Sequence, residues 1–294
     1  MNKLMAVVAA SVCAVSFSEA AVAADEKVVE NKAAAESAEQ EDSKLFAAGL
    51  DIDLFSAYIW RNVVQTDKPV LQPCVWADFT GADPFWFGFS LWQGWDLSSD
   101  RKDTFKRRLN ELDYNVHAGV TAWQNEDEDM SLEFEVGHEW YTYHFVRGDA
   151  APSTREFYLK CKFANPLVDV YGQSSWLYDD IGDCESGFHY EVGFNREVEL
   201  CDALKLGADW NVNFGSANYL EFLMGDVNGG DRPYGIGGTT VKAYLAWAVT
   251  DWMSLVGTIA YTGLLNHDVR DEYENAHAEE RDIVWGGFSV KFEY

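Results

Sequence analysis

Proline is scarce: 6 residues in 294. That excludes collagen-like and polyproline-rich architectures. Positive charge is also short, with 22 Lys+Arg against 49 Asp+Glu and a net charge of −27. A chain so negative is repelled by phosphates, which excludes a nucleic-acid binder. Beyond the N-terminus, Asp, Lys, Gly or Asn interrupts every apolar stretch, so no run reaches the roughly 20 residues of a membrane-spanning helix. The 5 Cys include no C-x-x-C pair, which leaves no zinc ribbon or thioredoxin-type centre. What the chain has instead is aromatic mass: 12 Trp, 14 Tyr and 18 Phe, too many for disorder.

The N-terminus reads as a targeting segment. Met1-Asn2-Lys3 supplies the charge, residues 4–17 the apolar stretch, and Ala21-Val22-Ala23 the small-x-small cleavage signal. Residues 1–23 are therefore expected to be a signal peptide. Residues 24–44 carry no aromatics and seven acids against three Lys, an acidic flexible periplasmic leader. From residue 45 to 294 the period is two. Leu112, Tyr114, Val116, Ala118, Val120 and Ala122 alternate with Glu111, Asp113, Asn115, His117, Gly119 and Thr121. Leu204, Leu206, Ala208, Trp210, Val212 and Phe214 repeat the pattern.

Such alternation suits a soluble sandwich as well as a barrel. The connections separate the two. Twelve strands are expected near 45–60, 70–80, 85–95, 109–122, 130–144, 155–163, 167–178, 187–198, 204–217, 239–249, 252–264 and 282–294. Links after even-numbered strands are tight, as at Gly81-Ala82-Asp83-Pro84. Those after odd-numbered strands are mostly longer, as at 96–108, 218–238 and 265–281. Short turns at one end and long loops at the other are the outer-membrane pattern. The last strand alternates Val284, Gly286, Phe288, Val290, Phe292 and Tyr294 to the final residue. It resembles the terminal-aromatic signal read by the barrel-assembly machinery of Gram-negative outer membranes. The expected fold is all-β, a transmembrane antiparallel barrel of about twelve strands, with short periplasmic turns and longer extracellular loops.

The segment Tyr58-Ile59-Trp60-Arg61-Asn62-Val63-Val64-Gln65-Thr66-Asp67-Lys68-Pro69-Val70-Leu71-Gln72 resembles the opening hairpin of the uncharacterised Gcw_chp family. That hairpin reads roughly Tyr-x-Trp/Phe-Arg-Gly, Gln-x-Asp, Pro-x-x-Gln. The resemblance implies export and an outer-membrane barrel, and no activity. Asn62 stands where the family favours Gly, and Asn tolerates positive φ.

The inward face on this register carries Asp51, Asp53, Glu111, Asp113, Glu133, Glu135, Glu139, Glu191, Asp209 and Glu293, with Lys160, Lys162, Lys205, Lys242 and Lys291, and His117 and His189. Ten acids against five lysines do not sit unpaired in a dry interior. Either water fills the lumen or the charges pair into a plug. The pore-lining set expected is Asp51, Asp53, Asp113, Glu133, Glu135, Glu191, Asp209, Lys160, Lys162, Lys205 and Lys242. An acid-rich lumen prefers small cationic or neutral solutes over anions. The alternative is a closed barrel acting as scaffold, receptor or adhesin.

Inward Trp86, Trp92, Tyr158 and Tyr244 suit steric fill more than sugar stacking. Trp60, Trp95, Trp140 and Trp252 fall where an interfacial girdle would sit. A hydrolase is not expected, because His117 or His189 can be grouped with carboxylates but no nucleophile elbow exists. Nor is a metal site or cofactor, since Asp226-Val227-Asn228-Gly229-Gly230-Asp231 lacks calcium-loop spacing. The partners expected are outer-membrane lipid and lipopolysaccharide, which acidic external loops bridge through divalent cations. Cys74, Cys161, Cys184 and Cys201 are expected to be mostly free thiols.

Overall fold

The structure, a computed structural model, describes residues 45–97, 109–126, 129–143, 153–179, 186–224, 235–266, 270 and 282–294. The expected signal peptide and leader, Cys184, the 226–231 cluster and most of the 265–281 link lie outside the described residues.

Fourteen strands and one helix follow in order: β1 (Ala47–Phe55), β2 (Tyr58–Trp60), β3 (Val63–Thr66), β4 (Val70–Ala82), β5 (Phe85–Asp96), β6 (Leu109–Gln124), β7 (Ser131–Tyr143), β8 (Ser153–Ala164), β9 (Asp169–Asp179), β10 (Gly187–Cys201), β11 (Leu204–Gly215), α1 (Ala217–Met224), β12 (Gly235–Thr250), β13 (Met253–Leu264) and β14 (Asp282–Glu293). All but β2 and β3 form one closed antiparallel barrel of twelve strands. β1 shuts it by pairing with β14, Leu50 opposite Phe292 and Ile52 opposite Val290. Closure leaves no sheet edge, the condition for strands to cross lipid.

The alternation decides which face meets lipid. Val116, Val136, Leu159, Val192 and Val284 are exposed on the outside. Asp51, Asp113, Glu135 and Lys242 on the opposite parity are buried. Trp140, Trp176, Trp247 and Trp252 add exposed aromatics to the outer surface. Tight turns at 83–84, 165–168, 202–203 and 251–252 share one end with the start of β1 and the end of β14, where Tyr294 N donates to Ala48 O at 2.9 Å. This is an outer-membrane barrel: closed, apolar outside, polar inside, and sorted by loop length.

Inside the wall, glycines face aromatic rings across paired strands: Gly49 and Trp76, Gly119 and Trp86, Gly137 and Tyr158, Gly193 and Tyr171, Gly207 and Tyr244. At Gly207 an added Cβ would sit on the Tyr244 ring, inside contact distance. At Gly257 it would meet nothing nearer than Phe288 at 3.9 Å. Gly207→Ala should therefore cost about 1–3 kcal/mol by overpacking. Gly257→Ala should be near neutral. Urea midpoints of the refolded barrels in lipid vesicles check this, and equal midpoints would mean that the ring moves aside without strain.

Three expectations need correction. The first strand does not run 45–60. It ends at Phe55, and residues 58–66 form a separate two-stranded hairpin that turns into the barrel. Trp60 is accordingly not in a girdle; it packs inside against a buried cluster of Val63, Leu177, Tyr219, Leu220 and Leu264. The ninth barrel strand stops at Gly215, and the link that follows opens with a helix, not a charged loop. Ser216 caps α1, its Oγ accepting from Tyr219 N at 3.4 Å.

Candidate functional site in the lumen

The inward hairpin is where sequence, packing and charge converge. Tyr58, Ile59, Trp60, Val63 and Val64 are too apolar for a loop in water, and the loop end of the barrel offers them no lipid. They bury inside instead, with Phe55, Ala57, Val70, Ala260 and Trp285 forming a second cluster at the hairpin's base. A two-residue loop, Arg61-Asn62, joins the strands, Trp60 facing Val63. Both loop residues take positive φ, 49° and 64°. That is the sign pattern of a type I′ turn, which suits Asn but not Arg.

Asn62 pins the tip to β12. Its Nδ2 donates to Gly238 O at 3.2 Å, and its Oδ1 accepts from Thr240 Oγ1 at 2.5 Å. Thr240 continues to Thr262 at 2.8 Å, which accepts from Trp285 Nε1 at 3.0 Å. Gly238 is required by closeness: a Cβ there would lie 2.9 Å from the Asn62 backbone oxygen. Asn213 on β11 donates to Arg61 O and accepts from Gly238 N at 2.5 Å.

Arg61 points at β7, β8 and α1. Its guanidinium forms an ion pair with Glu156 and donates to Tyr141 Oη at 3.3 Å and Tyr219 Oη at 3.4 Å. The Trp60 ring lies 4.7 Å from its carbon and the Tyr219 ring 5.7 Å. Burial pushes the Tyr219 phenol up to about 12, so it stays a neutral hydrogen-bonding group. Glu139 faces Glu156 directly across β7 and β8 and accepts from Tyr141 at 3.0 Å. Two carboxylates thus share the neighbourhood of one guanidinium.

The charged residues expected inside differ in burial. Asp51, Asp53, Asp113, Glu135 and Lys242 are buried, while Glu133, Glu191, Asp209, Lys160, Lys162 and Lys205 are partly buried. The structure pairs Lys242 with Asp209 at 3.1 Å, Lys162 with Asp169 at 3.3 Å, Lys205 with Glu197 at 2.9 Å and Lys291 with Asp51 at 3.5 Å. Glu133 accepts from Ser131 at 3.0 Å and Glu135 from Tyr158 at 3.0 Å. Tyr58 of the hairpin donates to Glu111 at 2.7 Å. His117 meets Asp78 at 3.0 Å, and His189 is buried against the Tyr219 ring. Side-chain exposure is 8% at Arg61 and 0% at Glu156, against 29% at Lys291 and 39% at Lys205, while Asp51, the partner of Lys291, is 4% exposed. The more exposed of these charges, Lys205 and Lys291, lie near the short turns.

Arg61 and Glu156 were not among the residues expected from sequence, yet both were within reach. Glu156 shares the inward parity of Tyr158, Lys160 and Lys162 on one strand. Among the described residues, Cys74, Cys161 and Cys201 are free, and no three His, Cys, Asp or Glu side chains are grouped to hold a metal.

No protein-family model matches the chain, and no curated protein does. Solved structures similar to it include barrels of low identity. The translocator domain of the autotransporter NalP from Neisseria meningitidis is 11% identical, over 85% of this chain and 87% of that one, with a TM-score of 0.40. Outer-membrane phospholipase A from Escherichia coli is 12% identical, over 84% and 89%, at 0.45. The KdgM porin is 8% identical, over 84% and 99%, at 0.43. Scores this low say nothing about function, and the barrel assignment rests on the strand pairing.

Proposed function

We propose that this protein is a narrow porin-like outer-membrane channel for small cationic or neutral solutes, with its first loop folded inward as the constriction. The partial exposure of lumen charges near the short turns carries this reading. Lys205 and Lys291 near the short turns are partly exposed, whereas Arg61 and Glu156 at the hairpin are buried. Acids outnumber lysines on the inward face, so anions are disfavoured. The pore-lining residues are those named from the register, Glu133, Glu191 and Asp209 being the partly buried acids among them. The likeness of residues 58–72 to the Gcw_chp hairpin supports the same location. Lipid, lipopolysaccharide and the barrel-assembly machinery are the partners proposed.

Planar-bilayer recording of refolded protein tests it. Discrete conductance steps are expected, with a reversal potential in a salt gradient that favours cations. Glu133→Gln combined with Glu191→Gln should reduce that preference, most strongly in dilute salt, where the field reaches beyond roughly 10 Å. Silence both in the native protein and after deletion of residues 58–66 would overturn the channel and leave a closed receptor or adhesin.

A further inference from the structure

Arg61 is an awkward residue for its place. A two-residue turn with positive φ at both positions is met most readily by Gly, Asn or Asp, and Arg is held there at φ 49°. What holds it is a receptor already built into wall and helix. Glu156 takes the charge, Tyr141 and Tyr219 accept from its fork, and the Tyr219 ring flanks its plane. The site is richer in negative charge than one cation requires. Glu139 stands opposite Glu156, and Glu156 Oε1 is buried with no hydrogen-bond partner. If the hairpin swings out, Arg61 and Trp60 leave with it. Buried Glu156, partly buried Glu139 and the two tyrosines stay behind, and a close carboxylate pair without a cation is costly.

We infer that this is a binding site for small organic cations of the guanidinium type, occupied in cis by Arg61 as a tethered competitor. The inference rests on the channel reading for its solute class. The chemistry selects a planar fork over a compact ammonium. A guanidinium places several N–H donors in one plane and stacks on aromatic faces, whereas an ammonium is a strongly hydrated point charge. Solute and hairpin then compete for one site, so the cation that crosses is also the one that opens the way. A tethered group acts at an effective concentration on the order of millimolar or more. Free ligand must match that in the native protein, but not once the guanidinium of Arg61 is gone.

Methylguanidinium is the probe and methylammonium at equal concentration the control, both on refolded full-length protein. Release of the hairpin is read by chymotryptic cutting at Trp60, and binding by calorimetry. In the native protein, tens of millimolar methylguanidinium, set by that effective concentration, should raise cutting at least about fivefold, and methylammonium should not. Arg61→Gly eases the turn, so folding is retained. It should bind methylguanidinium at least about tenfold more tightly than the native protein, and adding Glu156→Gln should remove that gain. Equal effects of the two cations, no gain in Arg61→Gly, or binding that survives Glu156→Gln would each overturn the site. Binding by calorimetry without any bilayer current would uphold the site and sink the channel. Cation-selective current with no distinction between the two probes would do the reverse.

Discussion

Glu156→Leu should undock the hairpin while leaving the barrel intact. The variant removes the ion-pair partner of the Arg61 guanidinium in a place where its side chain is 8% exposed, leaving two phenols to accept from it and Glu139 in the neighbourhood as its remaining counter-charge. Breaking a buried pair by removing one partner costs about 3–5 kcal/mol. A neutral hydrogen bond such as Asn62 to Gly238 contributes about 0.5–1.5 kcal/mol, so the Asn62 contacts are too weak to hold the tip alone. The hairpin shares no strand pairing with the wall, which is why its loss spares the ladder. Chymotryptic cutting at Trp60 should become rapid, and the urea midpoint of the barrel should change little. Pairing the change with Arg61→Met should restore protection, because an apolar pair of similar volume replaces a buried ion pair at little or no cost. If Glu156→Leu stays protected, the apolar cluster around Trp60 holds the hairpin, and the ion pair does not.

The barrel itself was legible in the chain because lipid imposes a strict rule on it. Every strand must put apolar side chains on one parity, so the run from Glu111 to Ala122 declares both its type and its faces. Loop parity then separated a barrel from a sandwich. The hairpin was not legible by the same rule. Read for alternation alone, Leu54 to Trp60 continues the first strand, and only pairing reveals that Phe55 is the last residue to bond across to both β14 and β4. A different signal was present and went unused: Ile59, Trp60, Val63 and Val64 lie in a link on the watery side of the membrane. Apolar residues there need an interior, and the lumen is the interior available. The helix after Gly215 was missed for a related reason. Its residues read as the start of a long loop, and its folding depends on burying Tyr219 and Leu220 in a cluster with Leu177 and Leu264 of the wall and Val63 of the hairpin rather than on its own eight residues. The charge balance of the lumen was visible in sequence, but the partners were not. Glu156 belongs with Arg61, ninety-five residues away, and spacing along one strand cannot disclose that.

Val136→Arg should block insertion of the barrel. Val136 is the sixth of thirteen residues in β7, close to the middle of the wall, and is 55% exposed on the outer face. Its register partners, Ala118 on β6 and Leu159 on β8, are outward too, so an arginine there finds no carboxylate beside it. A cation on the lipid face near the midplane costs roughly 2–4 kcal/mol, falling towards zero near the interfaces. The depth term matters: Leu206 is equally outward, yet it is the third residue of β11 and lies near the short turns, so Leu206→Arg should cost less, because its head group can reach the interface. Glu133→Gln, three residues from Val136 and inward, leaves the lipid face unchanged and should insert normally. Urea-dependent folding into vesicles and the heat-modifiable gel band should rank the three with Val136→Arg worst, Leu206→Arg intermediate and Glu133→Gln near native. Reversal of the first two would mean that the membrane sits nearer the short turns than the strand lengths imply. Equal insertion of all three would mean that β7 does not turn Val136 towards lipid.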